Sequence, residues 1–161
     1  MSKLVSFQPL WDNHPAVLGE LEPCKNAKGE SAFANQCAIR MGIALKAAGV
    51  TTSGLVVCWY GHSGQQHILQ AEPLAGWMLQ QKQRFGTAEK KVGKNHDATK
   101  GVTHADYKGR KGVVFFKDFW FRDKEKFPTG DHIDVWNGER QGSGNDDYFE
   151  RSKQVWFWEL K

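Results

Sequence analysis

The sequence lacks three features that would point away from a single compact globular domain. It has no run of about 20 apolar residues, which a membrane-spanning helix requires, so we expect no membrane insertion. Its first residues, MSKLVSFQPLWDNHPAV, have no long apolar core and no small-residue cleavage site, so we read no secretory signal and expect synthesis in the cytoplasm. No internal repeat or low-complexity linker divides it, which favours a single domain over residues 1–161.

Cysteine is scarce: the chain has three, Cys24, Cys37 and Cys58, and no CxxC pair. This argues against a disulfide scaffold and against a structural zinc site. One bridge between Cys24 and Cys58 is possible, and Cys58 otherwise reads as a small buried hydrophobic residue. His62 and His67 could bind a metal with Cys58, but the spacing matches no known ligand pattern. We therefore expect no metal and no cofactor.

Positive charge is concentrated in one segment. The formal net charge is +4, and between Lys82 and Lys111 nine Lys and Arg residues face three acidic ones, a net of +6. Such a segment is most often a solvated surface, but it also favours an anionic partner. No recognised nucleic-acid motif accompanies it, so nucleic acid is not expected, whereas an anionic cell-wall polymer fits equally well.

One helix is well defined by its apolar period. The sequence NQCAIRMGIALKAAG places apolar residues on one face at positions 37, 41, 44, 45 and 48. Asn35 is a natural N-cap and Gly49 a natural residue after the last turn, so we predict a helix over 36–48 with Cys37 in its first turn. A second helix is predicted over 72–84, because Pro73 suits its first turn and Gly86 would end it.

The remaining segments predict an α+β protein in which N-terminal helices pack on a C-terminal antiparallel sheet. An early strand or turn over 4–10 is possible, and the polar stretch 87–109 reads as a long surface loop. KGVVFFKDFW, HIDVWNG and QVWFWEL read as strands separated by turns. In the second of them, alternation places His132, Asp134 and Trp136 on one side. Helices followed by strands favour the α+β class.

Cys37 is the candidate nucleophile. A thiolate attacks a carbonyl, so a catalytic cysteine needs a lowered pKa, and the unpaired amides and dipole of a helix start favour the anion. The same amides can hold the oxyanion of a tetrahedral intermediate, a contribution of roughly 3–4 kcal/mol per donor. Among the three cysteines, the predicted helix start holds only Cys37.

His132 is the candidate base, because a cysteine on a helix and a histidine on a following strand form the papain-like arrangement. The competing interpretation is that Cys37 is a core thiol and His132 a surface residue. For the residue that orients the imidazole we choose Asp146. Asn145 and Asp147 lie in the same turn, and Asp134 is expected to run parallel to the ring. His14, His96 and His104 lie in polar segments and are expected to be exposed.

Several blocks together resemble the type VI secretion amidase effectors of family four, a branch of the NlpC-like, papain-fold cell-wall peptidases. The resemblance covers roughly residues 31–161. It rests on NQCAIR at 35–40, AEPLAGW at 71–77, GVVFFKDFW at 112–120 and TGDHIDVWNG at 129–138, with YF at 148–149 and VWFW at 155–158. Each block alone is a weak signal, but their order and combination are specific.

The resemblance implies a papain-like, NlpC-type fold and an amidase that cleaves the D-glutamate–diaminopimelate bond of peptidoglycan stem peptides. It assigns Cys37 as nucleophile and His132 as base, with an Asp from the following turn as third residue. Here that turn, 139–147, departs from the family in length and composition. The resemblance further implies delivery by the type VI secretion machinery into the periplasm of target bacteria, and a cognate immunity protein. From the residues alone, another amide substrate, acyl transfer or a basic binding module stays open.

Overall fold

The computed structural model describes residues 4–60, 62 and 64–161. Its α-helices are α1 (Phe7–Asp12), α2 (Cys37–Ala47), α3 (Ala71–Gln80), α4 (Lys82–Phe85) and α5 (Tyr148–Arg151). Its strands are β1 (Glu89–Lys91), β2 (Gly112–Trp120), β3 (Gly130–Trp136) and β4 (Gln154–Glu159), and a 3₁₀ helix spans His104–Tyr107. Within the described part of the chain, none of these helices has the length and apolar character that a membrane crossing requires.

The four strands form one antiparallel sheet in the order β1-β4-β2-β3. Apolar side chains of β2 alternate between two separate clusters, with Val113 and Phe115 on one face and Val114 and Phe116 on the other. Helices α2 and α3 cover the first face, and the 3₁₀ helix and α5 cover the second. The predicted α+β class, with helices packed on a C-terminal antiparallel sheet, is confirmed.

The best-defined helix of the sequence forms nearly where its pattern predicts. Helix α2 begins at Cys37, and the Asn35 side chain accepts a hydrogen bond from the Cys37 amide at 3.2 Å, which satisfies one orphan donor. Gly49 adopts a positive φ of 86°, as expected just after a helix. The second predicted helix is interrupted at Gln81, so it forms as α3 and α4, and Gly86 (φ 77°) ends it.

One prediction for an irregular region is wrong and a second is incomplete. Residues 4–10 hold no strand, because Phe7 and Leu10 point from one face of α1 into the core while Pro9 sits in its first turn, where its missing N–H costs nothing. The stretch 87–109 is not a plain loop: Glu89–Lys91 pairs with β4. All three β1 side chains are exposed, so this edge strand has no apolar alternation from which to predict it.

Candidate active site

Cys37 is the first residue of α2, and its side chain is buried (3% exposed). The helix starts at the edge of the sheet, where α2 packs against β3. One turn further along, the Arg40 guanidinium is also buried, because its Nη1 donates to the Leu21 carbonyl and its Nη2 to the Ser143 hydroxyl at 3.1 Å. The thiol therefore lies at a helix N-terminus with a fixed cation nearby.

His132 faces this thiol from the start of β3. The imidazole and the thiol lie close enough for each to shift the pKa of the other, and the backbone N–H of Ile133 also acts on the sulfur. The imidazole is 7% exposed and lies among aromatic rings, stacked on Phe116 at 6.2 Å and edge-on to Tyr148 at 5.3 Å between centroids. The structure thus brings together the two residues that the sequence named as nucleophile and base.

The carboxylate beside the His132 ring belongs to Asp134 and not to Asp146. An Asp134 carboxylate oxygen lies 2.9 Å from Nε2 of His132, so the expectation that this side chain runs parallel to the ring is wrong. Residues two apart on a strand are neighbours on one face, and the long imidazole turns back onto the shorter carboxylate. Asp146 is exposed, and its carboxylate makes no hydrogen bond with any residue that the structure describes. Asn145 and Asp147 are exposed as well.

Asp134 is fully buried and well supplied with donors. One carboxylate oxygen accepts from the Ser143 amide at 2.9 Å and the Ser143 hydroxyl at 2.8 Å, and the other accepts from the Val135 amide at 2.8 Å. Ser143 in turn receives the Arg40 guanidinium. Sequence reasoning missed Ser143, because a serine in a Gly-rich turn gives no signal of a partner across the site.

His14 is another residue that sequence reasoning misplaced. It was expected to be exposed, but it is fully buried behind Asp134, with its Nε2 3.5 Å from the carboxylate and without hydrogen-bond geometry. It follows α1 by two residues, so the packing of Phe7 and Leu10 carries it inward. Burial lowers the pKa of His14 to about 4, which leaves the ring neutral at neutral pH.

The pKa shifts of the three central groups favour a thiolate–imidazolium pair. Burial alone would raise the pKa of the Cys37 thiol, but the hydrogen bond and charge of His132, with the Ile133 amide and Arg40, hold it below its ordinary value. Burial opposes the charge on His132, yet its bonds to Asp134 and Cys37 raise its pKa to about 9. Burial also opposes the Asp134 anion, but His132, His14 and Ser143 keep the pKa of the carboxyl below its usual range.

Two cavities meet over this dyad, and they share Asn35 and Asp131. The first, of about 320 Å³, is lined by Asn35, Cys37, Leu69, Gln70, Ala71, Glu72, Pro73, Arg122 and Asp131. The second, of about 370 Å³, is lined by Asn35, Arg40, Phe119, Trp120, Asp131, His132, Ser143, Asn145, Tyr148 and Arg151. Together they form a cleft with the thiol in one half and the imidazole in the other.

Comparison with known proteins gives a matching family and several matching structures. The family model described as Type VI secretion system (T6SS), amidase effector protein 4, matches residues 33–158. The crystal structure of the type VI effector Tae4 from Enterobacter cloacae superposes with a TM-score of 0.68, at 18% identity and over 100% of both chains. The Tae4/Tai4 effector–immunity structure from Salmonella typhimurium gives 0.68 at 18% identity, over 97% of this chain and 98% of that one.

At such low identity the solved structures show the shared fold alone, which is the papain-like, NlpC-type architecture expected from the sequence. No curated protein matches the chain significantly. The family model is the stronger finding, because it spans most of the chain and includes Cys37, His132 and Asp134. The protein therefore belongs to the type VI secretion amidase effectors of family four, Tae4.

Proposed function

We propose that this protein is a cysteine amidase that hydrolyses the D-glutamate–diaminopimelate bond of peptidoglycan stem peptides. The observation that carries the proposal is the chain of contacts from Cys37 at the start of α2 to His132, and from His132 to Asp134. A nucleophile, a base and an orienting carboxylate in this order are what covalent amide hydrolysis requires.

In the proposed reaction, Sγ of Cys37 attacks the amide carbonyl carbon, and the partial positive charge of the α2 start stabilises the oxyanion. The His132 imidazolium then gives its proton to the departing amine of diaminopimelate, which leaves a thioester on Cys37. Water attacks this thioester while His132 takes its proton. The thiolate departs, and the peptide ends in a free glutamyl carboxylate. During all these steps, Asp134 holds the imidazole by its Nε2 atom. The other ring nitrogen, Nδ1, is then the one that exchanges protons with the thiol and the substrate.

Two arginines of the cleft offer partners to an anionic peptide, beside the acidic residues Glu72, which is paired with Lys117, and Asp131. Arg122 lines the half that contains Cys37, and Arg151 lines the half that contains His132. A stem peptide carries a carboxylate on each side of the scissile amide, one on D-glutamate and one on diaminopimelate. We assign one arginine to each of these groups, because guanidinium binds carboxylate with directed, charge-assisted hydrogen bonds.

The setting of this activity is proposed from the family. Type VI secretion machinery would carry the protein into a competitor, where peptidoglycan lies in the periplasm. Solved relatives from Enterobacter cloacae and Salmonella Typhimurium are described as Tae4–Tai4 effector–immunity complexes. We propose that a cognate immunity protein likewise binds this chain and blocks the cleft over Cys37.

The test is digestion of purified sacculi by the wild type and by Cys37→Ala and His132→Ala, followed by mass spectrometry of the released fragments. We expect fragments with a new amine on diaminopimelate from the wild type and none from either variant. His104→Ala and Asp146→Ala, two exposed positions, serve as controls that keep activity. Circular dichroism checks that each variant is folded.

Full activity in either site variant would overturn the assignment of the dyad. A new amine elsewhere in the stem peptide would keep the cysteine chemistry but refute the proposed bond. Transfer of the glutamyl group to an added amine instead of water would identify an acyltransferase.

A further inference from the structure

A second cluster of reactive side chains lies outside the active site. Cys24 precedes α2, and Cys58, His62 and His67 belong to the segment that precedes α3. Each of the four offers one ligand atom, and these atoms all lie within 4.8 Å of one another. The proposed amidase mechanism uses none of them.

The distances among Cys24, Cys58 and His62 are close to those of ligands around one ion. The sulfurs of Cys24 and Cys58 are 3.4 Å apart, and Nε2 of His62 lies 3.3 Å from the first and 3.4 Å from the second. With Zn–S near 2.3 Å and Zn–N near 2.0 Å, two ligands of a tetrahedral zinc lie about 3.3–3.8 Å apart. Both cysteines are free thiols, so the bridge that the sequence allowed is not formed.

The fold holds these residues in place by backbone contacts. The Cys58 amide donates to the His67 carbonyl at 2.9 Å, and the adjacent Val57–Ile68 bridge extends this pairing. Cys24 is fixed by the Gln36 side chain, which accepts from its amide at 2.8 Å and donates to its carbonyl at 3.0 Å. Segments that are distant along the chain are thereby brought to one point.

His67 gives an independent sign of a ligand. Its side chain is buried (5% exposed) and stacks on His62 with ring centroids 3.9 Å apart. Its Nδ1 has no hydrogen-bond partner among the described residues. A buried polar atom without a partner is costly, and coordination to a metal removes that cost.

We propose that Cys24, Cys58, His62 and His67 bind one Zn²⁺ as a structural site. Binding deprotonates both thiols, releases two protons to solvent and joins two thiolates and two neutral imidazoles to the dication, so the site carries no net charge. Four protein ligands complete a tetrahedral shell and leave no open position for substrate, which distinguishes this site from a catalytic zinc.

Other metals fit the donor set less well. Two thiolates with two imidazoles suit zinc, whereas calcium and magnesium require oxygen ligands. A two-iron cluster with two cysteines and two histidines divides its ligands between two iron atoms. Four ligand atoms within 4.8 Å of one another favour a single ion.

The sequence hides this site because its two cysteines are far apart. The two histidines are five residues apart, but Cys24 and Cys58 are separated by the whole of α2 and its flanking segments, so the four residues together match no known ligand pattern. Bound zinc would also affect the position of the active-site segments. The zinc would tie Gln36, the residue before the nucleophile, to the segment that leads into Leu69 and Gln70 on the cleft wall.

The first experiment measures metal in the full chain. Protein purified under reducing conditions with zinc in the medium is analysed by inductively coupled plasma mass spectrometry, and we expect close to one zinc per chain. Replacement by Co²⁺ should produce the visible bands of tetrahedral cobalt together with thiolate-to-metal charge transfer. Chain that neither contains zinc nor gives this spectrum with added Co²⁺ overturns the proposal.

The second experiment locates the site. Cys58→Ser and His62→Asn should abolish the cobalt charge-transfer spectrum or weaken it strongly, and a chelator should lower the Tm of the wild type. Cys37→Ser and His104→Gln are matched controls at a thiol and a histidine outside the cluster, and both should keep one zinc.

Loss of zinc in Cys37→Ser would place the metal in the active site and refute the assignment. The competing outcome is a disulfide between Cys24 and Cys58. Alkylation of denatured, non-reduced protein would then modify a single thiol, no metal would be bound, and the proposal would be refuted. Should a cluster variant fail to fold, the cobalt spectrum of the wild type still decides whether thiolates bind the ion.

Discussion

Asp134 is the residue on which the geometry of the active site depends most. It holds His132 at 2.9 Å while accepting two hydrogen bonds from Ser143 and one from Val135. A buried carboxylate with so many donors cannot turn away from the ring without leaving several polar groups unpaired. The imidazole is therefore fixed in one orientation, and the buried Asp134 carboxylate stabilises its positive charge.

Replacing Asp134 by Asn removes the negative charge of the side chain and nearly keeps its size and shape. We expect Asp134→Asn to lower kcat on peptidoglycan roughly 10²- to 10⁴-fold, the upper value being the effect of the same substitution in a serine-protease triad. The amide favours the wrong tautomer of His132 and no longer stabilises the imidazolium. The alkylation rate of Cys37 by iodoacetamide at neutral pH should fall in parallel, because the thiolate loses its cationic partner.

Asp146→Asn is the matched control for this substitution, since Asp146 is an exposed carboxylate from the turn that sequence reasoning favoured. It should leave both kcat and the alkylation rate unchanged. A large loss in Asp146→Asn with normal behaviour in Asp134→Asn would reverse the assignment made from the structure.

At the scale of elements, helix α2 carries the nucleophile and must pack closely against the segment that precedes α3. Gly42 makes this contact possible: a Cβ at this position would lie 2.4 Å from the Gln66 carbonyl oxygen and 3.0 Å from Cδ1 of Ile68. The Gln66 side chain also donates to the Gly42 carbonyl at 3.2 Å. The backbone of α2 therefore lies directly against the backbone of the segment at Gln66, and there is no space for a methyl group at position 42.

Gly42→Ala should accordingly lower the free energy of unfolding by about 1–3 kcal/mol, the usual cost of overpacking. Gly76→Ala in α3 is the matched control, because a Cβ there meets nothing within 4 Å. It should raise stability by up to about 1 kcal/mol, since alanine is the better helix former. Urea unfolding of both variants measures the difference, and equal stabilities would mean that the segment does not approach α2 as closely as described.

The elements also show what a sequence can predict. Helix α2 was predicted almost to the residue, because its apolar period and its flanking Asn35 and Gly49 are local signals. Strand β1 was missed, because three exposed charged residues become a strand only by pairing with β4. Tertiary pairing decides such segments, and local propensity does not.

The same distinction applies to the active site. Cys37 and His132 could be named in advance, since a helix start and a strand start are visible in the sequence. His14 and Ser143 could not, because each reaches Asp134 only after distant segments fold together. The contact between Asp134 and the ring was not predicted for a related reason: it depends on a side-chain rotamer, which the alternation of a strand does not specify.

At the scale of the whole molecule, the buried titratable groups give stability a defined dependence on pH. Between about pH 6.5 and 9, native His132 holds a proton that the unfolded chain has lost, so its contribution to stability falls as pH rises through this range. The pKa of native Cys37 is held below its ordinary value, so the contribution of the thiolate rises with pH. The two contributions to the slope therefore have opposite signs and oppose each other.

Below neutral pH, His14 and Asp131 change the free energy of unfolding in opposite directions. Burial lowers the pKa of His14 to about 4, so its contribution to stability is complete above its unfolded pKa, near 6.5, and is lost as pH falls toward 4. Burial raises the pKa of Asp131 to about 6, so native Asp131 binds its proton before the unfolded chain does, and this group adds stability as pH falls. In the wild type the two effects partly offset each other.

Variants at these two positions should therefore change the acid limb of the stability profile in opposite directions. Between pH 6.5 and 4, His14→Gln should lose less stability than the wild type, by an amount on the order of 3 kcal/mol for a shift of this size. Asp131→Asn should lose more than the wild type over the same range. Urea unfolding at half-unit pH steps gives both slopes. Each variant is compared with its own stability at pH 7, so a packing cost common to all pH values does not enter. If His14→Gln keeps the acid slope of the wild type, His14 is not the buried neutral base that its position behind Asp134 indicates.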